Sequence, residues 1–66
     1  MPSAVIRYFA YEPDRRELKI TFQSGRRYVY EGVPPEVHEA LKGALSRGEF
    51  FNEHIRDRFR FRREGS

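Results

Sequence analysis

From Glu17 to Gln23 the chain alternates strictly, with Leu18, Ile20 and Phe22 on one side and Lys19, Thr21 and Gln23 on the other. That period of two predicts a strand with one buried face. Ser24-Gly25-Arg26 supplies hairpin chemistry, Gly25 being free to adopt positive φ, and a further strand is predicted over 27–31. Upstream, residues 3–12 are rich in β-branched and aromatic side chains and run into Pro13-Asp14, a turn signal, so they form the first strand of a three-stranded antiparallel meander. Val33-Pro34-Pro35 ends the sheet, because proline donates nothing to a ladder. The period then changes: Val37, Ala40, Leu41, Ala44 and Leu45 fall at i, i+3, i+4, i+7 and i+8, one helical stripe, with Glu36 near its start, Arg47 near its end and Gly48 as its stop. Gly43 inside this stripe implies close packing against a neighbour, since glycine there costs about 1 kcal/mol relative to alanine.

The last third carries two periods. Phe51, Ile55 and Phe59 follow helical spacing, whereas Arg58-Phe59-Arg60-Phe61-Arg62 alternates as a strand does. We expect a short second helix over 49–57 and then an extended tail, with Phe59 and Phe61 turned to the body and Arg58, Arg60 and Arg62 turned to water. The predicted fold class is α+β: a three-stranded antiparallel meander, two short helices packed on one of its faces, and a short extended C-terminal segment. One domain over 3–62 is expected, with 63–66 as a disordered tail. Val29 is too small to build a second core alone, so the sheet has one covered face and one wet face.

Composition narrows the setting. A chain of 66 residues without cysteine has neither a disulfide nor a thiolate metal site, and its core must come from aliphatic side chains and ten aromatics. No apolar run approaches the roughly 20 residues of a membrane span. Met1-Pro2-Ser3-Ala4 lacks the layout of a signal peptide, so a cytoplasmic protein is expected, with no membrane partner. Charge is more informative when divided. Residues 1–55 balance eight Lys/Arg against eight Asp/Glu, and residues 56–66 carry Arg56, Arg58, Arg60, Arg62 and Arg63 against Asp57 and Glu64, the whole of the net +3. The positive field is local.

The order of these features resembles the KTSC domain, named after the C-terminal extension of some lysyl-tRNA synthetases and found also as a stand-alone bacterial protein. The residues that carry the likeness are Leu18, Ile20 and Phe22 with Ser24-Gly25, then Tyr28-Val29-Tyr30, Val33-Pro34, Val37 and Leu41, then Ala44, Ser46 and Gly48, and finally Phe51-Asn52, Ile55 and Arg56. They span nearly the whole chain. The resemblance implies a small RNA-binding module. Arg7 departs from the pattern, which has a small residue such as glycine before Tyr8, and this leaves the geometry of the first strand open.

Guanidinium groups pair with phosphates in bidentate fashion and stack on bases, so the run from Arg56 to Arg63, interleaved with Phe59 and Phe61, is the candidate nucleic-acid contact. Arg26 and Arg27 at the hairpin form a second patch. Five C-terminal arginines each meeting a phosphate correspond to a logarithmic salt slope of about −3.5 on a single strand. Tyr28 and Tyr30 share a face, and two readings are open for them: a stacking platform for unpaired bases, or packing beneath the helices with their hydroxyls at the rim. The partner expected is nucleic acid, RNA rather than duplex DNA. A homodimer or an acidic protein partner is the alternative, because edge strands and a basic tail suit both. A ribbon-helix-helix unit reading duplex DNA is a third, which leaves strands 1 and 2 unexplained. Catalysis has little support. His38 and His54 lie on predicted helices outside any metal-ligand spacing, the serines fit turns and helix ends, and the glycines are isolated. No catalytic residue, metal or cofactor is expected.

Overall fold

The computed structural model of the chain describes residues 6–64. β1 (Ile6–Glu12), β2 (Glu17–Phe22) and β3 (Arg27–Tyr30) form the meander, α1 (Pro35–Gly43) and α2 (Arg47–His54) follow, and β4 (Phe61–Glu64) returns to the sheet. The sheet has four antiparallel strands in the order β1-β2-β3-β4, one more than the sequence predicts. The extra strand is the expected extended segment. It is a paired element, and it reaches Glu64, so the tail expected from residue 63 is corrected for Arg63 and Glu64. The expected domain start at Ser3 and the last two residues lie outside the described residues.

Register decides which side chains meet. Leu18 lies opposite Tyr11 and Tyr30, and Ile20 opposite Phe9 and Tyr28, so one face collects Phe9, Tyr11, Leu18, Ile20, Phe22, Tyr28 and Tyr30, while Tyr8 and Val29 turn to the other. Leu41 of α1, Phe51 of α2 and Ile55 at its C-cap close over that face together with Val33, and Leu18, Ile20, Leu41, Val33 and Ile55 are fully buried. Each such side chain removed from water contributes about 1.5–3 kcal/mol. The chain between sheet and helices is tied down twice: the Tyr11 hydroxyl donates to the Val33 carbonyl at 2.6 Å, and the Val33 amide donates to Arg16, a residue held at φ 54° in the β1–β2 turn.

Four local expectations are corrected. α1 stops at Gly43, so the stripe does not continue: Leu45 projects fully into solvent and Ala40 is exposed. A Cβ on Gly43 would meet nothing within 4 Å, so this glycine marks the end of the helix and not a close approach. α2 starts earlier than predicted because Ser46 caps it, its hydroxyl accepting from the Glu49 amide at 3.3 Å. Val29 is fully buried on the face opposite the core. Its cross-strand neighbours are Lys19 and Arg62, whose long aliphatic stems supply the cover that no second apolar residue gives. The ladder shifts register between Ile6 and Tyr8, which puts a bulge at Arg7, the position where the family pattern is broken.

Candidate nucleic-acid interface

β4 organises the arginine-rich end. Phe61 pairs with Tyr30, Arg62 with Val29, Arg63 with Tyr28 and Glu64 with Arg27. Because the side-chain period is two, Phe61 and Arg63 share the face of the tyrosines, and Arg62 points to the other. This separates two arginines adjacent in sequence.

Arg62 is spent internally. Its guanidinium grips both Glu17 oxygens, at 3.2 and 3.4 Å, and reaches Glu31 at 3.0 Å. The bridge crosses three strands, running from β4 over β3 to β2, with Glu31 just past the end of β3. The Glu17 carboxyl is held below the usual carboxylate range, chiefly by this hydrogen bond, and the paired carboxylates push Arg62 higher in turn. Of the candidate arginines, Arg26, Arg27, Arg56, Arg58, Arg60 and Arg63 are exposed and none closes onto a carboxylate among the described residues.

The tyrosines divide as well. Tyr30 is 4 % exposed and belongs to the core, where it meets Phe51 edge-on with ring centroids 5.3 Å apart. Of the two readings for Tyr30, packing beneath the helices is the one realised. Burial pushes its hydroxyl up to about 12, with Tyr28 and Asp57 adding to the shift and Arg56 opposing it. Tyr28 is half-buried. The open aromatic on this face is Phe61, 55 % exposed, with its ring 5.5 Å from Tyr30 and 5.6 Å from Tyr28. The alternation along 58–62 turns both Phe59 and Phe61 to the body. Phe59 packs there as a partly buried member of the core's rim, and Phe61 turns to the same face but stays largely open over the tyrosine rings. Nothing local distinguishes the two, since the choice is made by where β4 meets β3.

Along β4 the tyrosine-bearing face therefore presents an ordered stripe. Arg56 lies near the Tyr30 hydroxyl, Phe61 and Tyr28 follow, and Arg63 leads to a cleft lined by Ser24, Gly25, Arg26, Arg27, Arg63 and Glu64. Arg58 and Arg60 sit in the link between α2 and β4, and the Arg60 carbonyl accepts from the Glu31 amide at 2.8 Å. Since that makes 31 and 60 a hydrogen-bonded pair, the alternation of an antiparallel ladder turns the amides of Phe61 and Arg63 away from β3, toward the open edge. The histidines contribute elsewhere: His38 stacks on Tyr11 at 4.6 Å, and His54 lies against Phe50 at the same distance.

This is an α+β domain in which a four-stranded antiparallel sheet carries two helices on one face and an aromatic-basic stripe at one edge. The KTSC domain model matches residues 2–59, and the chain belongs to that family. A KTSC domain protein from Yersinia pestis, solved by crystallography, superposes with a TM-score of 0.90 at 37% identity, over 98% of this chain and 92% of that one. The chain is also 45% identical over 58 residues to a lysine–tRNA ligase of Nostoc punctiforme, covering 88% of its own length and 10% of that protein. An uncharacterized protein of Stutzerimonas stutzeri is 43% identical over 53 residues, covering 80% of this chain and 75% of that protein. The chain thus spans about a tenth of the ligase it matches and most of the smaller relative.

Proposed function

We propose that this domain is a non-enzymatic module that binds single-stranded nucleic acid, RNA in particular, along β4. The observation that carries the reading is the exposure of Phe61 between free arginines: one open ring for a base, with Arg56, Arg58 and Arg60 before it and Arg63, Arg26 and Arg27 beyond it for phosphates. A solvent-facing phenylalanine on an edge strand offers a stacking surface, and unpaired bases stack on such rings whatever their identity. The occurrence of the matching segment within lysine–tRNA ligases supports RNA over DNA. Duplex reading by paired ribbons has less support, because β1, β2 and β3 lie side by side in one intramolecular sheet. The reading includes a cytoplasmic location; among the described residues no helix is long and apolar enough to cross a membrane.

Fluorescence anisotropy with labelled RNA and DNA 12-mers tests this. Salt-sensitive binding of single strands is expected, and Phe61→Ser weakens it by about 5- to 150-fold, the equivalent of the 1–3 kcal/mol of one stacked base. Absence of binding at low salt refutes the reading. A second reading, self-association, is favoured by the unpaired outer edge of β4. Sedimentation at several concentrations separates the two, since a dimer through β4 covers Phe61.

A further inference from the structure

The cleft at the far end of the stripe has a charge of its own. Arg26 comes from the β2–β3 turn, Arg27 from the first position of β3 and Arg63 from β4; by the alternation of the ladder Arg26 and Arg63 share the face of Phe61, and Arg27 turns to the other face with its cross-strand partner Glu64. None of the three arginines closes onto a carboxylate among the described residues, in contrast to Arg62 one position away. Glu64, opposite Arg27 in the ladder, is the single acid of the lining and leaves the cleft with a formal surplus of two positive charges. The turn leaves room: Gly25 sits at φ 91° and nothing lies within 4 Å of where its Cβ would be. The Ser24 hydroxyl accepts from the Arg26 amide and keeps its own proton free to donate.

An internal phosphodiester carries one negative charge, whereas a terminal phosphomonoester carries about 1.5 to 2 at neutral pH. A surplus of two matches the second. We propose that this cleft receives the terminal phosphate of a single strand whose end nucleotide stacks on Phe61, an inference that rests on the nucleic-acid reading above. Phe61 and Arg63 lie on the same face two residues apart, about 6.6 Å along the strand, within the reach of one nucleotide from base to phosphate.

The test compares three RNA 8-mers of one sequence bearing a 5′-phosphate, a 3′-phosphate or neither. One phosphorylated form is expected to bind at least about tenfold tighter than the unmodified strand, the gain of one charge-assisted contact. The two phosphorylated arms report which end is held. Arg26→Ser/Arg27→Ser/Arg63→Ser removes the preference and leaves the weaker affinity for the unmodified strand, and Arg63→Lys, which keeps the charge and the fold, loses part of the preference because the bidentate fork is gone. Equal affinity for all three RNAs overturns the inference while the nucleic-acid reading stands. A preference that survives in the triple variant overturns the assignment to this cleft. Binding of none of the three overturns both.

Discussion

Arg62 and Arg63 are neighbours on β4 with opposite engagements, and replacing each by serine separates structure from binding. Six arginines present free heads along the stripe and cleft: Arg26, Arg27, Arg56, Arg58, Arg60 and Arg63. At about 0.7 counterion released per phosphate met on a single strand, they correspond to a logarithmic salt slope of about −4.2. Between 50 and 200 mM salt the affinity of the wild type then falls about 300-fold. Arg63→Ser brings the slope to about −3.5 and the loss to about 130-fold, with thermal stability unchanged because that side chain holds no carboxylate among the described residues. Arg62→Ser keeps the slope near −4.2 and lowers Tm, because Glu17 and Glu31 lose the cation between them. The sign with pH follows from the lowered Glu17 carboxyl. Its contribution is present above the pKa of an unpaired carboxylate, roughly 4, and is lost as pH falls through the lower folded value, so the wild type and Arg62→Ser converge in acid. Anisotropy titrations at five salt concentrations and thermal melts from neutral pH to pH 3 measure both effects. If Arg62→Ser lowers the slope as much as Arg63→Ser and leaves Tm unchanged, the three-strand bridge is not made in solution and the division of the arginines is wrong.

Other outcomes follow from the core and the caps. Phe51→Ala removes a side chain that is 2 % exposed and packed edge-on against Phe22 and Tyr30. Its cost of about 3–5 kcal/mol is a large part of the roughly 3–10 kcal/mol expected of a chain this size, so circular dichroism is expected to show a Tm lowered by more than about 10 °C, and a cooperative melt near that of the wild type contradicts the packing. Ser46→Ala deletes the cap of α2 for about 1 kcal/mol, a fall in Tm of about 4–8 °C that differential scanning calorimetry reads directly. Tyr30 is raised to about 12 by burial, so the folded state resists its ionisation. The associated stability is present below the unfolded value of about 10 and is lost as pH rises toward 12, at most about 2–3 kcal/mol. Tyr30→Phe is expected to flatten urea-derived stability over that range, and an unchanged alkaline slope refutes the assignment.

The sequence makes the sheet legible where one face is wet and the other buried. Leu18, Ile20 and Phe22 identify β2, and the Ser24-Gly25 turn fixes the register that brings Tyr28 and Tyr30 beside them. The helical stripe misleads at Ala44 and Leu45, because periodicity continues by chance past the point where the chain turns, although Ser46 and Glu49 already carry the capping signal of the next helix. β4 and its bridge are harder. Phe61 and Phe59 differ in exposure through where β4 meets β3, and Arg62 and Arg63 differ in engagement because Arg62 meets Glu17 across a separation of 45 residues. Composition locates the basic end; pairing decides which of its arginines are free.

The strands lie in the order in which they are made, and the consequence is kinetic. β1, β2 and β3 are joined by tight turns and can zip from local contacts, whereas β4 docks only after both helices have intervened between Tyr30 and Phe61. The last strand is thus the natural unit of partial opening, attached along one edge and containing no buried residue of its own. Every element of the stripe and cleft spans the β3–β4 seam. Undocking four residues would erase the whole surface and leave the helices on the meander, so amide exchange along Val29 and Arg62 reports the lifetime of the competent state, and a bound strand that bridges the seam lengthens it.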